Sequence, residues 1–451
     1  MAGTRIASVS GLRGIVGDGL DPIVVVEFAA AYASGLGPGP VIVGHDGRVS
    51  AHVFEAAVVS AIAATGHDVL RAGPVATPTI GRLVRERRAA GGVQISASHN
   101  PPTYNGMKMF QPGGMVLDAG QGRELLDRLE RRDFRWASWD KLGQIEGLER
   151  PEDDHLEAVL RLVDVASIRS KGFVVALDAC HGAGGRLGTR LLRELGCRPI
   201  VLGGEPDGKY DHPPEPTATN LAAFARIVEA AGASIGFALD PDSDRLAIVD
   251  ERGRYIGEEL TLALAAMRRF SQVQGPFVLN LSTSRTAEDV AKARGCQVHR
   301  TPVGEIHVVQ GIKANDAVLG GEGNGGVIDP RVGFVRDPFV GIALVLDLLA
   351  SEDKSLSEWV DVLPQYAMVK DQYPRGQIEA AELFDQIAQT YPEARADRRD
   401  GLRLDWPDAW AHVRVSNTEP IVRVITETAD QTSARSLADA IGRAVTTGRK
   451  A

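Results

Sequence analysis

Cysteine is nearly missing from this chain. Cys180, Cys197 and Cys296 are the only three in 451 residues, and they are scattered without metal-ligand spacing. That excludes a disulfide-stapled secreted module and fits reducing surroundings. Aromatics are few, at 5%, while Gly (50) and Pro (24) are near ordinary usage, too aperiodic for a collagen-like repeat. No apolar run approaches the roughly 20 residues that span a bilayer. The opening MAGTRIASVSGLRG lacks the apolar stretch of a secretory signal. A cytoplasmic protein with no membrane partner is therefore expected. Positive charge is not in excess: 50 Lys+Arg face 59 Asp+Glu, a formal charge of −9. No nucleic-acid partner is expected, although a small anion needs only local cations.

What is present is 44% hydrophobic and 24% charged, which excludes a disordered chain. At roughly 100–200 residues per domain, two to four domains are expected. Short β-rich apolar runs at Val41–Val43, Val93–Ile95, Phe173–Leu177, Ile235–Leu239, Phe277–Leu281 and Ala317–Leu319 predict buried strands. Between them, Ala51–Thr65, Gly122–Arg132, Gly188–Leu195, Leu221–Ala231 and Glu258–Phe270 have helical spacing. Alternation of this kind predicts α/β architecture with parallel sheets. Three strands run into a polar turn and then a helix: Val41–Val43 into GHDGR, Phe173–Leu177 into DACHGAGG, Phe277–Leu281 into STSRT. Three similar α/β units in tandem are expected, followed by a smaller α+β domain with a last helix at Thr432–Val445. The expected bounds are residues 1–150, 151–252, 253–365 and 366–451.

Four motifs carry chemistry. Asp240-Pro241-Asp242-Ser243-Asp244-Arg245 ends a buried strand, where α/β sheets present their sites. Three carboxylates at alternate positions turn inward together only around a cation, because each like-charged pair at ~4 Å costs about 4 kcal/mol. Mg²⁺ suits such oxygen ligands; a solvated acidic loop is the alternative. An EF-hand is excluded, since Arg245 takes the place of the loop glycine and an apolar strand follows. Ser96-Ala97-Ser98-His99-Asn100-Pro101-Pro102 ends another strand, and its double proline forbids helix. It makes Ser98 a candidate nucleophile or phosphorylation site, with Lys108 a nearby cation or acid/base; a plain Ser/Asn/Pro turn remains open. Gly320 to Gly326, GGEGNGG, contains GxGxxG but opens no helix, so it is not a dinucleotide fingerprint. It reads as a flexible loop whose Glu322 and Asn324 suit sugar hydroxyls, or as a glycine-rich turn. Arg414-Val415-Ser416-Asn417-Thr418-Glu419-Pro420, with Arg423 nearby, suits a phosphate or is simply a polar turn. A GxSxG match at Gly232–Gly236 has helix before and strand after, the reverse of a hydrolase elbow, so Ser234 is read as structural.

Taken together and in order, SASHNPP with NGMK, DPDSDR, GEGNGG and RVSNTEP resemble the α-D-phosphohexomutase family over essentially the whole chain. Gly11 to Gly17, GLRGIVG, resembles its amino-terminal signature. The resemblance implies three similar α/β domains and a smaller final domain around a central cleft. It implies a phosphorylated Ser98 that, with Asp240, Asp242 and Asp244, holds one Mg²⁺ per chain. It further implies Lys108, Arg13, His99 and Arg245 at the chemistry, Glu322 and Asn324 on sugar hydroxyls, and Arg414, Ser416, Asn417 and Thr418 on the non-reacting phosphate. Lys108 is the expected general acid/base, provided its surroundings lower its pKa. The partners implied are sugar phosphates, with hexose 1,6-bisphosphate as activator and intermediate, and the chain is expected to be a monomer or homodimer. The family commonly carries His after the last glycine of the sugar loop; here Gly326 stands there, so Glu305 or His307 is the expected compensation. The motif set is most similar to archaeal-type phosphoglucosamine mutases and bacterial relatives, with phosphomannose or phosphoglucose mutases close behind. Two alternatives of other kinds are a metal-dependent phosphatase with an aspartate nucleophile and a non-catalytic sugar-phosphate-binding protein.

Overall fold

A computed structural model of the chain describes residues 5–8, 11–375, 378–416 and 421–447. Three sheets repeat one plan. In the first, Val69–Pro74, Val41–His45, Gly91–Ile95 and Tyr104–Phe110 lie side by side, the first two junctions parallel and the last antiparallel. Arg198–Leu202, Val174–Asp178, Ile235–Leu239 and Leu246–Asp250 do the same in the second. Val298–Thr301, Phe277–Asn280, Leu319–Glu322 and Gly326–Ile328 do so in the third. The first sheet is widened by Arg5–Ser8, Gly11–Val16 and Ile145–Gly147. Within each plan the third and fourth strands form a hairpin. Its loop, at Ser96–Thr103, Asp240–Arg245 or Gly323–Gly325, leaves the carboxyl end of the third strand. The three α/β units thus present equivalent loops, which is where such sheets place their sites.

The fourth unit is an antiparallel five-stranded sheet ordered Ala367–Pro374, Ile421–Thr428, Trp410–Val415, Leu402–Asp405, Arg395–Asp397. Helices Ala380–Thr390 and Gln431–Thr447 bury Leu383, Ile387, Ile441 and Val445 against Leu402, Leu404, Val413, Val422 and Val424. The expected architecture of three similar α/β units and a smaller α+β unit is observed. The second and third sheets share one continuous core around helix Pro338–Ser351, which is buried from Pro338 to Ala350. No helix among the described residues is long and apolar enough to cross a membrane.

Two local expectations are corrected. The strand expected at Ala317–Leu319 runs instead from Leu319 to Glu322, because the ladder pairs Leu319 with Phe277 and Gly321 with Leu279. The glycines continue it because there is no room for side chains: a Cβ on Gly321 would lie 2.4 Å from the Gly326 carbonyl oxygen. GGEGNGG is accordingly a tight β-hairpin, with Glu322 opposite Gly326, rather than a flexible loop.

Candidate active site

The Ser98 loop begins where Ile95 ends its strand. Ser98 is buried with φ at +52°, a left-handed conformation costing a non-glycine residue about 1–2 kcal/mol. Local bonds hold it there. The Ser98 amide donates to Ser96 Oγ at 2.8 Å, and Ser96 Oγ donates to Asp46 Oδ2 at 2.7 Å. Asp46 also accepts from Arg48 Nε at 2.8 Å. The Arg48 guanidinium then donates to the carbonyls of Pro101 (2.7 Å), Tyr104 (3.0 Å), Asn100 (2.8 Å) and Ser98. Bonds from a charged donor contribute about 1.5–3 kcal/mol each, so any two of them outweigh the strain. Arg48, in the GHDGR turn, therefore moulds the loop that carries Ser98.

Ser98 Oγ donates to Asp240 Oδ2 at 3.0 Å, joining the first hairpin loop to the second. Asp240, Asp242 and Asp244 are all fully buried, with oxygens within 4.8 Å of one another. Each carboxylate is anchored on one side. Asp240 Oδ1 accepts from the amides of Asp244 (3.1 Å) and Arg245 (3.2 Å). Asp242 Oδ2 accepts from Thr77 Oγ1 and Lys108 Nζ, both at 2.6 Å. Asp244 Oδ2 accepts from Lys108 Nζ and Arg336 Nη2, both at 2.6 Å. Asp242 Oδ1 and Asp244 Oδ1 are buried with no hydrogen-bond partner. Leaving such an oxygen unsatisfied costs about 1–3 kcal/mol or more. Buried, unpartnered carboxylate oxygens beside a third carboxylate are the donor set a hard divalent cation takes. These residues therefore fit one.

The surrounding charges have distinct environments. Burial, then the fields of Asp244 and Asp242, push the Asp240 carboxyl well above its usual range. Burial pushes the same way on Asp244, but Arg336, Lys108 and Arg245 outweigh it and hold it far below. Burial pulls the Lys108 ammonium down, yet Asp242 and Asp244 raise it well above an ordinary lysine. The lowering expected for a general acid/base is thus reversed, because both aspartates bond to it directly. His99 Nδ1 lies 3.2 Å from Ser98 Oγ, and burial followed by Arg245 and Arg13 pushes its pKa down to about 3, leaving a neutral ring. Arg13 reaches the same corner because Leu12, Arg13 and Gly14 pair with Met107, Gly106 and Asn105. That crossing needs glycine: a Cβ on Gly11, at φ +121°, would lie 2.2 Å from the Met107 carbonyl oxygen. Arg245 Nε sits 3.9 Å from Asp244 Oδ1.

A cleft of about 570 Å³ opens in front of this cluster, lined by residues that include Arg13, Ser96, Lys108, Glu305, His307, Arg336 and Arg423. Lys108 and Arg336 stand between it and the aspartates. In the third hairpin, Glu322 is buried and engaged at both oxygens. Oε1 accepts from Asn280 Nδ2 (2.8 Å) and the Gly304 amide (3.1 Å), and Oε2 from Arg336 Nη1 (3.1 Å). It stands as a brace here rather than as an open acceptor. The unpartnered oxygens nearby belong to Asn324 (Oδ1) and Glu305 (Oε1). In the fourth unit Arg414 lies opposite Arg423 across an antiparallel ladder. Arg414 Nε is 3.0 Å from Asp400 Oδ2, which also accepts from the Val303 amide at 2.8 Å. The Ser416 amide donates to the Ile421 carbonyl. Asn417 and Thr418 lie outside the described residues.

Ser98, His99, Lys108, Arg13, Arg245 and the three aspartates form one cluster. Glu305 and Glu322 join it through Arg336, and Arg423 is among the residues lining the cleft. Arg48, Thr77 and Arg336 have no counterpart in the sequence reading. Arg48 sits in the polar turn GHDGR, which carries no chemical motif of its own. Arg336 carried no motif, since its partners lie 14, 31 and 92 residues away.

Four consecutive stretches match phosphoglucomutase/phosphomannomutase domains: residues 4–136 the alpha/beta/alpha domain I, 153–253 domain II, 257–366 domain III and 377–444 the C-terminal domain. A phosphoglucomutase/phosphomannomutase of Thermococcus kodakarensis is 35% identical over 444 residues, covering 96% of both chains. A probable phosphoglucosamine mutase of Methanopyrus kandleri is 35% identical over 435 residues, covering 95% of both. The crystal structure of a phosphoglucomutase/phosphomannomutase family protein from Burkholderia thailandensis superposes with a TM-score of 0.87 at 26% identity, covering 98% of this chain and 97% of that one. With all four domains matched in order and relatives aligned nearly end to end, the chain belongs to the phosphoglucomutase/phosphomannomutase family of α-D-phosphohexomutases, and is an isomerase.

Proposed function

We propose that the chain interconverts glucosamine 6-phosphate and glucosamine 1-phosphate by way of phosphorylated Ser98 and a bound hexose 1,6-bisphosphate. The observation that carries this reading is the bond from Ser98 Oγ to Asp240 Oδ2, at 3.0 Å, beside two buried aspartate oxygens that accept no hydrogen bond. A phosphoserine carries about −1.5 to −2 charge and could not face three carboxylates without a divalent cation. Bound by Asp240, Asp242, Asp244 and the phosphoserine, one Mg²⁺ per chain would neutralise that charge and draw electron density from the phosphoryl group.

Arg13, Arg245 and neutral His99 flank the phosphoryl group and offer donors to its oxygens. The bond from phosphorus to Ser98 Oγ breaks as one forms to a substrate hydroxyl oxygen. The hydroxyl proton leaves to a base; Lys108, between the aspartates and the cleft, is an ammonium while Asp242 and Asp244 bond to it and could take that role only with a divalent cation drawing off the charge of those aspartates. The bisphosphate then returns its other phosphate to Ser98, so atoms balance without a further reactant. Arg414, Ser416, Asn417, Thr418 and Arg423 are assigned to the phosphate that does not react, and Asn324 and Glu305 to the sugar, with Glu322 bracing Arg336 behind them. The four domains are those at residues 1–150, 151–252, 253–365 and 366–451, and the protein is cytoplasmic, a monomer or homodimer.

The amino sugar is favoured by Glu305, which lines the cleft with one oxygen unpartnered and so suits an ammonium at the sugar ring. It also agrees with relatives named as probable phosphoglucosamine mutases. Turnover of mannose and glucose phosphates is the second reading, favoured by the name of the Thermococcus relative. Intact-mass spectrometry should find one phosphate on the protein, absent in Ser98→Ala. Coupled assays with all three sugar phosphates should rank glucosamine first. Activity surviving Ser98→Ala would overturn the phosphoserine route, and equal turnover of the neutral sugars without the amino sugar would overturn the ranking.

A further inference from the structure

Gly326 occupies the position at which the family resemblance leads one to expect a histidine, and the space a side chain would fill there is already taken. A Cβ on Gly326 would lie 2.3 Å from Arg336 Cδ and 2.8 Å from its Cγ. The arginine cannot step aside cheaply, because its guanidinium is pinned at every nitrogen. Nη2 donates to Asp244 Oδ2 (2.6 Å), Nε to Glu305 Oε2 (2.8 Å) and Nη1 to Glu322 Oε2 (3.1 Å). The fork therefore ties the aspartate loop, the segment carrying Glu305 and the third hairpin to one rigid plane. Beyond it, Asp244 Oδ1 and Glu305 Oε1 are left buried without a hydrogen-bond partner, whereas Glu322 Oε1 is capped by Asn280 and Gly304.

We propose that Arg336 is a positioning residue that fixes the cation-facing oxygen of Asp244 and the cleft-facing oxygen of Glu305 relative to each other, and that residue 326 is glycine so that Arg336 can reach both. This rests on the reading of Asp240, Asp242 and Asp244 as the cation loop. A histidine at 326 and this arginine are then alternative solutions that exclude each other sterically.

The test is calorimetric titration of the purified full chain with MgCl₂, together with kcat and KM for glucosamine 6-phosphate. The variants are Arg336→Met, Gly326→Ala and the double substitution. Methionine keeps an unbranched stem over Gly326 but removes the guanidinium; alanine keeps every charge but displaces the stem. Outer partners of metal ligands typically contribute 10–100-fold in affinity, so each single variant should weaken Mg²⁺ binding by about that factor and raise KM. The double variant should bind Mg²⁺ no more weakly than Arg336→Met alone. A purely structural arginine would lower the melting temperature and leave Mg²⁺ affinity unchanged. Wild-type Mg²⁺ affinity in a folded single variant, or losses that multiply in the double, would overturn the proposal. Should Arg336→Met not fold, Gly326→Ala decides by itself. Absence of Mg²⁺ binding by the wild type would instead sink the underlying reading of the aspartate loop.

Discussion

Replacing Arg48 by methionine should release the Ser98 loop while leaving Ser98 itself in place. The substitution removes donors from the carbonyls of Ser98, Asn100, Pro101 and Tyr104. It also strands the Asp46 carboxylate, fully buried and paired with Arg48 Nε at 2.8 Å. Breaking a buried ion pair by deleting one partner costs about 3–5 kcal/mol. The strain of about 1–2 kcal/mol at Ser98 φ is then no longer opposed, and the loop has reason to relax. At 1.4 kcal/mol per tenfold, amide exchange over residues 96–104 should accelerate by about 10²–10³. Exchange in the fourth unit, remote from Arg48, should not change. Phosphate on Ser98, read by intact mass, should fall in parallel. Asp46→Asn combined with Arg48→Met removes both charges and should cost less than the two single losses added. Wild-type exchange over 96–104 with undiminished phosphorylation in Arg48→Met would refute the clamp.

Removing divalent cations with EDTA should abolish turnover. Readdition of Mg²⁺ at 100 times its dissociation constant should stabilise the wild type by about 2.7 kcal/mol, and Asp242→Asn by far less; equal thermal shifts would count against the site. All three cysteines are buried and burial pushes Cys197 up to about 12, so thiol reagents at pH 7.5 should leave the native enzyme active. Rapid inactivation would contradict the packing. His412 bonds to Ser282 Oγ (2.8 Å) across the junction of the third and fourth units and to the Asp400 carbonyl (2.6 Å) within the fourth, and burial pushes its pKa down to about 4. A folded value below the unfolded 6.5 gives stability that is complete above pH 6.5 and is lost as pH falls through about 4. Urea midpoints of the wild type should therefore drop more between pH 7 and pH 4.5 than those of His412→Asn. Parallel slopes would refute this.

The aspartate loop was legible because its logic is local: three carboxylates within five residues after a buried strand state their own problem. The same holds for Ser98, where two prolines freeze the turn. Arg48 and Arg336 were not legible, because each acts on carbonyls or carboxylates brought near only by folding, and a lone arginine before a helix or in a turn has no periodicity. Composition misled at Gly320 to Gly326, where glycine signals flexibility in sequence but close strand approach in space. At Lys108 the expectation failed on sign: burial does lower its pKa, but two aspartates from another sheet win. The boundary at Ala317 was misplaced because an apolar run marks hydrophobicity, whereas a ladder ends where its partners end.

Helix Pro338–Ser351 has a bearing on how this chain can be taken apart. With apolar residues facing both neighbouring sheets, it leaves the second and third units without a dry surface of their own. Swapping the second unit alone with that of a relative would bare this greasy seam and invite aggregation. The fourth unit keeps a private interior and grips the rest through contacts such as Arg285 on the carbonyls of Trp406, Pro407 and Ala409, and is the piece that recombination can exchange whole.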